Sequence, residues 1–146
     1  MNASLATAAV VVRRTIAASP DMLFDAWLDP ISLSNWMRPG TINSTQARVD
    51  PRVGGEYEVI MRNDTTPIRH RGVYRVIDRP RRLVFTWESP ATESRETLVT
   101  VDFIPKGKAT EIVVTHEQLP DSARPSHSNG WTSATEKLAH FVEARS

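Results

Sequence analysis

No cysteine occurs anywhere in the 146 residues, so no disulfide, thiolate metal site or cysteine nucleophile can form. That absence agrees with a reducing compartment. A long hydrophobic run is missing as well. The most apolar stretch near the start, Leu5 to Val12, is only eight residues long. It lacks a basic segment in front and is followed, not preceded, by Arg13 and Arg14, which is wrong for a signal peptide and too short for a membrane span. A cytoplasmic protein is expected, with residues 1–9 frayed and no membrane insertion. Charge of one sign is also scarce: a net charge of +1 supplies no field to steer nucleic acid or anionic lipid. The basic run Arg79 to Arg82 has no interleaved aromatics and reads as a solvated turn, so no nucleic-acid partner is expected.

Several catalytic signatures are missing too. There is no Gly-x-Ser-x-Gly elbow, no Gly-rich phosphate loop and no dinucleotide fingerprint, so acyl transfer, nucleotide hydrolysis and hydride transfer lack their usual parts. Histidine occurs at 70, 116, 127 and 140 without a His-x-His or His-x-x-x-His pair. On one helix, the spacing from His127 to His140 amounts to about 220°, so the two face apart. Neither a metal nor a cofactor is expected.

What is present describes one ordinary globule, 40% hydrophobic and 24% charged, long enough for one real core spanning 1–146. The β-branched segment Val10 to Ile16 reads as a strand whose Val10, Val12, Arg14 and Ile16 share a face. An inward Arg14 requires a carboxylate or carbonyl partner, or must snorkel to water near the strand end. Ser19-Pro20-Asp21 is a helix start, with Leu23, Phe24, Trp27 and Leu28 inward. Asp29-Pro30 repeats that grammar for a second short helix through Ile31, Leu33 and Trp36, which Arg38-Pro39-Gly40 stops.

From Arg48 the period changes to two. Strands follow over 56–62, 68–77, 83–87, 96–104 and 110–116, joined by turns at Gly54-Gly55, Asn63 to Thr65, Asp78 to Arg82 and Lys106 to Lys108. Turns this short imply an antiparallel meander. The final stretch, from His127, reads as a long helix with Trp131, Ala134, Leu138, Phe141 and Val142 on one stripe. The expected fold is therefore α+β: a curved antiparallel sheet wrapped around the C-terminal helix, with two short helices after the first strand.

A strongly curved sheet cannot press its whole concave face against one helix. The remainder should be a space of some hundreds of cubic ångströms lined by aromatics, the usual form of a small-ligand pocket. The concave parity offers Tyr57, Met61, Tyr74, Phe85, Trp87 and His116; Trp27 joins them from the first helix, and His127 and Trp131 from the last. These nine are the candidate ligand-binding residues. The segment from Pro120 to Pro125 is the candidate entrance. His116 could instead serve as an acid or base with Glu58, Glu88 or Tyr74. Exposed strand edges and the convex face are left available for homodimerisation.

Arg14 to Pro20, Leu23 to Pro30, Trp36, Asp50 to Gly55, Gly72-Val73-Tyr74, Pro80 to Trp87, Thr115-His116 and Gly130-Trp131 occur in the order of a known family. The chain resembles bacterial members of the family named for the activator of the heat-shock-protein-90 ATPase homologue, in the START-like, birch-pollen-allergen-like superfamily of helix-grip folds. The resemblance implies a single domain enclosing a hydrophobic cavity between sheet and last helix. It implies binding of a small apolar or amphipathic molecule, with a cyclase- or hydrolase-type enzyme or a co-chaperone-like partner module as alternatives. The eukaryotic activators owe their chaperone contact to an additional N-terminal domain, which is not expected in this chain.

Overall fold

The computed structural model describes residues 9–64 and 66–145. The fraying expected for residues 1–9 falls, apart from Ala9, outside the described residues, as does Thr65 of the turn after Arg62.

Strand β1 (Val10–Ile16) leads into helices α1 (Pro20–Leu28) and α2 (Pro30–Trp36), then β2 (Ser44–Val49), β3 (Glu56–Arg62), β4 (Pro67–Asp78), β5 (Arg82–Trp87), β6 (Thr97–Lys106), β7 (Ala109–Glu117) and α3 (Arg124–Glu143). Both short helices start as their sequences dictate. Ser19 Oγ accepts from Met22 N–H, with Pro20 at the first helical position where no amide is needed. Asp29 ends α1 and caps α2, its carboxylate accepting the Ser32 amide at 2.9 Å. One residue thus fixes the angle between the two helices.

The seven strands form one antiparallel sheet in the order β1-β7-β6-β5-β4-β3-β2. The first strand returns to pair with the last, so the sheet curls, and its concave face closes on α3. The expected alternation holds: Val99, Val101, Ile112 and Val114 are buried inward, while the outer parity carries ion pairs such as Arg48 with Glu58 and Arg82 with Asp102. Arg14, on the inward parity of β1, is half-buried with its Nε enclosed and unpartnered.

Three details differ from expectation. Strand β2 begins at Ser44, four residues before the change of period at Arg48. Helix α3 starts at Arg124, because Pro125 fits the first turn and does not break it, so part of the expected entrance segment is helical. Phe141, placed in the core by its spacing, packs against the core but stays half-buried beneath the Arg145 guanidinium, and Thr135 and Ala139 are buried on α3 as well.

Gly72, within β4, permits a close approach to the backbone of β5. A Cβ there would stand 1.9 Å from Thr86 O, the same carbonyl that accepts the Tyr57 hydroxyl at 2.5 Å. The Thr86 backbone on one side and the buried Tyr57 ring on the other leave little room to yield. Gly72→Ala should therefore cost about 3 kcal/mol, read as a shift of the urea midpoint. A loss below about 0.5 kcal/mol would show that β4 and β5 separate there freely.

Candidate functional site

Four tryptophans from four elements meet in the interior. Trp36 donates its indole N–H to Ala26 O at 2.9 Å and packs on Trp27, with ring centres 4.7 Å apart. Trp27 stacks on Trp131 at 5.9 Å, and Trp131 lies 5.2 Å from Trp87. These rings fill most of the space between sheet and helix. The residual cavity is accordingly about 170 Å³, smaller than the several hundred cubic ångströms expected, and it lies at the N-terminal half of α3.

The cavity is built from both layers. Met61, His70 and Trp87 come from β3, β4 and β5; His127, Gly130, Trp131 and Ala134 form one face of α3 at steps of three and four. The rim is held firmly. Met37 and Pro39 follow α2, in a segment tied to α3 by Gly40 N–H donating to Ser133 Oγ and by Lys137 Nζ donating to Arg38 O and Gly40 O. Ala91 sits in a short turn closed by reciprocal bonds between Ser89 and Thr92.

Of the nine residues expected to face a ligand, Met61, Trp87, His127 and Trp131 line this cavity. Trp27, Tyr57, Tyr74 and Phe85 do not. With Trp87 they surround a separate void of about 20 Å³, room for a single water molecule. Burial raises the pKa of both tyrosines, so their hydroxyls stay protonated.

His116 lines neither space and is fully buried. Its Nδ1 accepts the Trp131 indole N–H at 2.9 Å. An indole nitrogen only donates, so that nitrogen carries no proton, and Nε2–H donates to Thr97 Oγ1 at 2.7 Å. The Thr97 hydroxyl in turn donates a hydrogen bond to Trp87 O at 2.5 Å. Burial, with His127 nearby, pushes the His116 pKa down to about 3, so the ring stays neutral. Both nitrogens are thus consumed in a line of hydrogen bonds joining α3 to β5, β6 and β7. A group so engaged holds the helix on the sheet and has neither a proton nor a lone pair to offer a substrate.

Among the lining residues that sequence reasoning missed, which include Met37, Pro39, Ala91, Gly130 and Ala134, His70 is the titratable one. It is buried, its ring centre 4.8 Å from that of Trp87, and burial pushes its pKa down to about 4. Its parity with the inward Tyr74 was the available signal. Among the described residues no cluster of three or more His, Cys, Asp or Glu could hold a metal ion, and no helix is long and apolar enough to cross a membrane.

A curled sheet gripping a long C-terminal helix, with two short helices inserted after the first strand, is the helix-grip architecture of START-like domains. Within that class, residues 17–143 match the family described as Activator of Hsp90 ATPase homolog 1-like protein, and the chain belongs to that family. Similar solved structures include a protein from Chromobacterium violaceum, 22% identical over 92% of this chain and 96% of its own, with a TM-score of 0.80. A solution structure from Arthrobacter aurescens is 20% identical over 96% of this chain and 88% of its own, with a TM-score of 0.84. A structure described as an HSP90 activator from Plasmodium falciparum is 25% identical over 93% of this chain and 94% of its own, with a TM-score of 0.69. No curated protein matches the chain.

Proposed function

We propose that the protein binds a small, largely apolar molecule in the cavity between α3 and the sheet and does no chemistry on it. The observation that carries this reading is Gly130. It stands on the cavity face of α3, in the helix interior, where glycine costs about 1 kcal/mol relative to alanine. A Cβ at this position would meet nothing within 4 Å. A residue that weakens the helix while no neighbour demands it is explained by the room it leaves.

Native mass spectrometry of gently purified protein should accordingly show a co-purifying small molecule. Gly130→Leu should remove that molecule while leaving the fold as stable as before or more so, since leucine is the better helix former. A leucine variant that retains the bound species would place the ligand elsewhere.

A second reading takes up the likeness to the structure described as an HSP90 activator. On that reading the protein acts through its surface and stimulates an Hsp90 ATPase. Gly130→Leu separates the two, because filling the cavity abolishes small-molecule uptake but leaves such stimulation intact.

A further inference from the structure

Burial divides the cavity into a floor and a rim, and with the proposed binding as its basis that division bears on the class of the occupant. Met61, Trp87 and Trp131 are buried. Ser126 and His127, from the first turn of α3, are exposed and half-buried respectively. Apolar surface thus lies inside and polar groups stand at the mouth, which suits a molecule with one apolar and one polar end. A volume of about 170 Å³ is close to the roughly 150 Å³ that accommodates one benzene ring.

The rim has one polar atom to spare. Ser126 spends its hydroxyl on Ala123 O at 3.0 Å, and His127 turns Nδ1 to the same carbonyl at 2.8 Å. A carbonyl only accepts, so Nδ1 carries a proton and Nε2 is the nitrogen left for an occupant. Among the described residues nothing bonds His127 Nε2, and it is not one of the enclosed polar atoms. The titratable groups around the ring supply it with no charge. His116 on β7, 5.1 Å away between ring centres, and His70 on β4 are both kept neutral by burial, which pushes their pKa values down to about 3 and about 4. Arg124, in the same turn of α3, is paired with Asp121 at 2.7 Å. No Asp or Glu lines the cavity. Protonated on Nε2, His127 therefore has no carboxylate of the protein to answer it. A carboxylate brought by the occupant takes that place through a charge-assisted hydrogen bond, about twice as strong as a neutral one.

We propose that the occupant is an apolar carboxylic acid of single-ring size, its hydrocarbon part against Met61, Trp87 and Trp131 and its carboxylate at the rim, accepting from His127 Nε2–H. The test is isothermal titration of the whole protein at pH 6.5 with four probes: phenylacetate, its neutral isostere phenylacetamide, the 2-phenylethylammonium cation and toluene. Phenylacetate should bind at least about tenfold more tightly than phenylacetamide, and the cation should not bind detectably. His127→Gln should bring phenylacetate down to the affinity of phenylacetamide, with toluene changed by less than about threefold. Gly130→Leu should remove the binding of every probe. Equal affinity for phenylacetate and phenylacetamide in the unaltered protein would overturn the acid assignment and leave the cavity as an apolar binding site. A preference for phenylacetate that survives His127→Gln would overturn it equally. Phenylacetate binding retained in Gly130→Leu would put the anion on the outer surface of α3 and overturn it as well. If none of the four probes binds, the single-ring acid class is wrong, and the co-purifying species seen by mass spectrometry decides the binding reading separately.

Discussion

Trp131→Ala should destabilise the protein by about 4 kcal/mol, the usual range for emptying a tryptophan site in a core. Two losses combine. The stack against Trp27 and the contact with Trp87 disappear, and His116 Nδ1, fully buried, is left without its donor. Trp131→Phe separates them. Phenylalanine keeps most of the ring in place but cannot donate, so its cost, about 2 kcal/mol, reports chiefly the stranded acceptor. Urea unfolding of the two variants measures both quantities. A phenylalanine variant as stable as the unaltered protein would show that the bond to His116 contributes nothing to holding α3.

Acid should weaken the fold well before it protonates the surface carboxylates. His70 and His116 are bases whose pKa values in the folded protein, about 4 and about 3, lie below their ordinary 6.5. Above pH 6.5 folded and unfolded chains are both neutral at these sites, and the full stability is present. Below it the unfolded chain takes up protons that the folded chain refuses, so stability falls as the pH drops towards 4. At pH 5 the two groups together remove about 4 kcal/mol by linkage, roughly 2 kcal/mol each. Asp25, hydrogen-bonded to Arg79, and Glu58, hydrogen-bonded to Arg48, have lowered pKa values and enter only under more acidic conditions. Unfolding free energies at pH 7 and pH 5 test this directly. His70→Phe should remove about half the difference, and a flat profile in the unaltered protein would mean that the buried rings accept protons without opening.

Much of this architecture was legible in the sequence because it depends on local rules. Period two placed Leu83, Phe85 and Trp87 inward, and Ser19-Pro20 and Asp29-Pro30 announced the helix starts. The errors came where tertiary packing overrides local pattern. Phe141 has the right spacing for the core, yet the helix rotates Ala139 and Thr135 inward because small residues approach the sheet more closely. His70 was obscured by Arg69 and Arg71 on either side, whose charges dominate that stretch although they occupy the opposite face. The role of His116 was beyond local reading. It depends on Trp131, fifteen residues away, arriving with its N–H aimed at one ring nitrogen. The cavity is smaller than expected for a related reason: four inward tryptophans suggest a lined chamber, whereas rings that pack on one another largely fill it.

The run of indoles from Trp36 through Trp27 and Trp131 to Trp87 also makes the protein its own optical probe. At ring separations of about 5 to 6 Å, excitation absorbed by any one of them migrates to the rest before it is emitted. The last two border the cavity, and neutral histidines stand beside them. An occupant touching only Trp87 and Trp131 would therefore change the emission of all four rings together, and the near-ultraviolet circular dichroism of the coupled chromophores with it. Filling of the cavity can be followed without a label, at concentrations where the ligand itself is invisible.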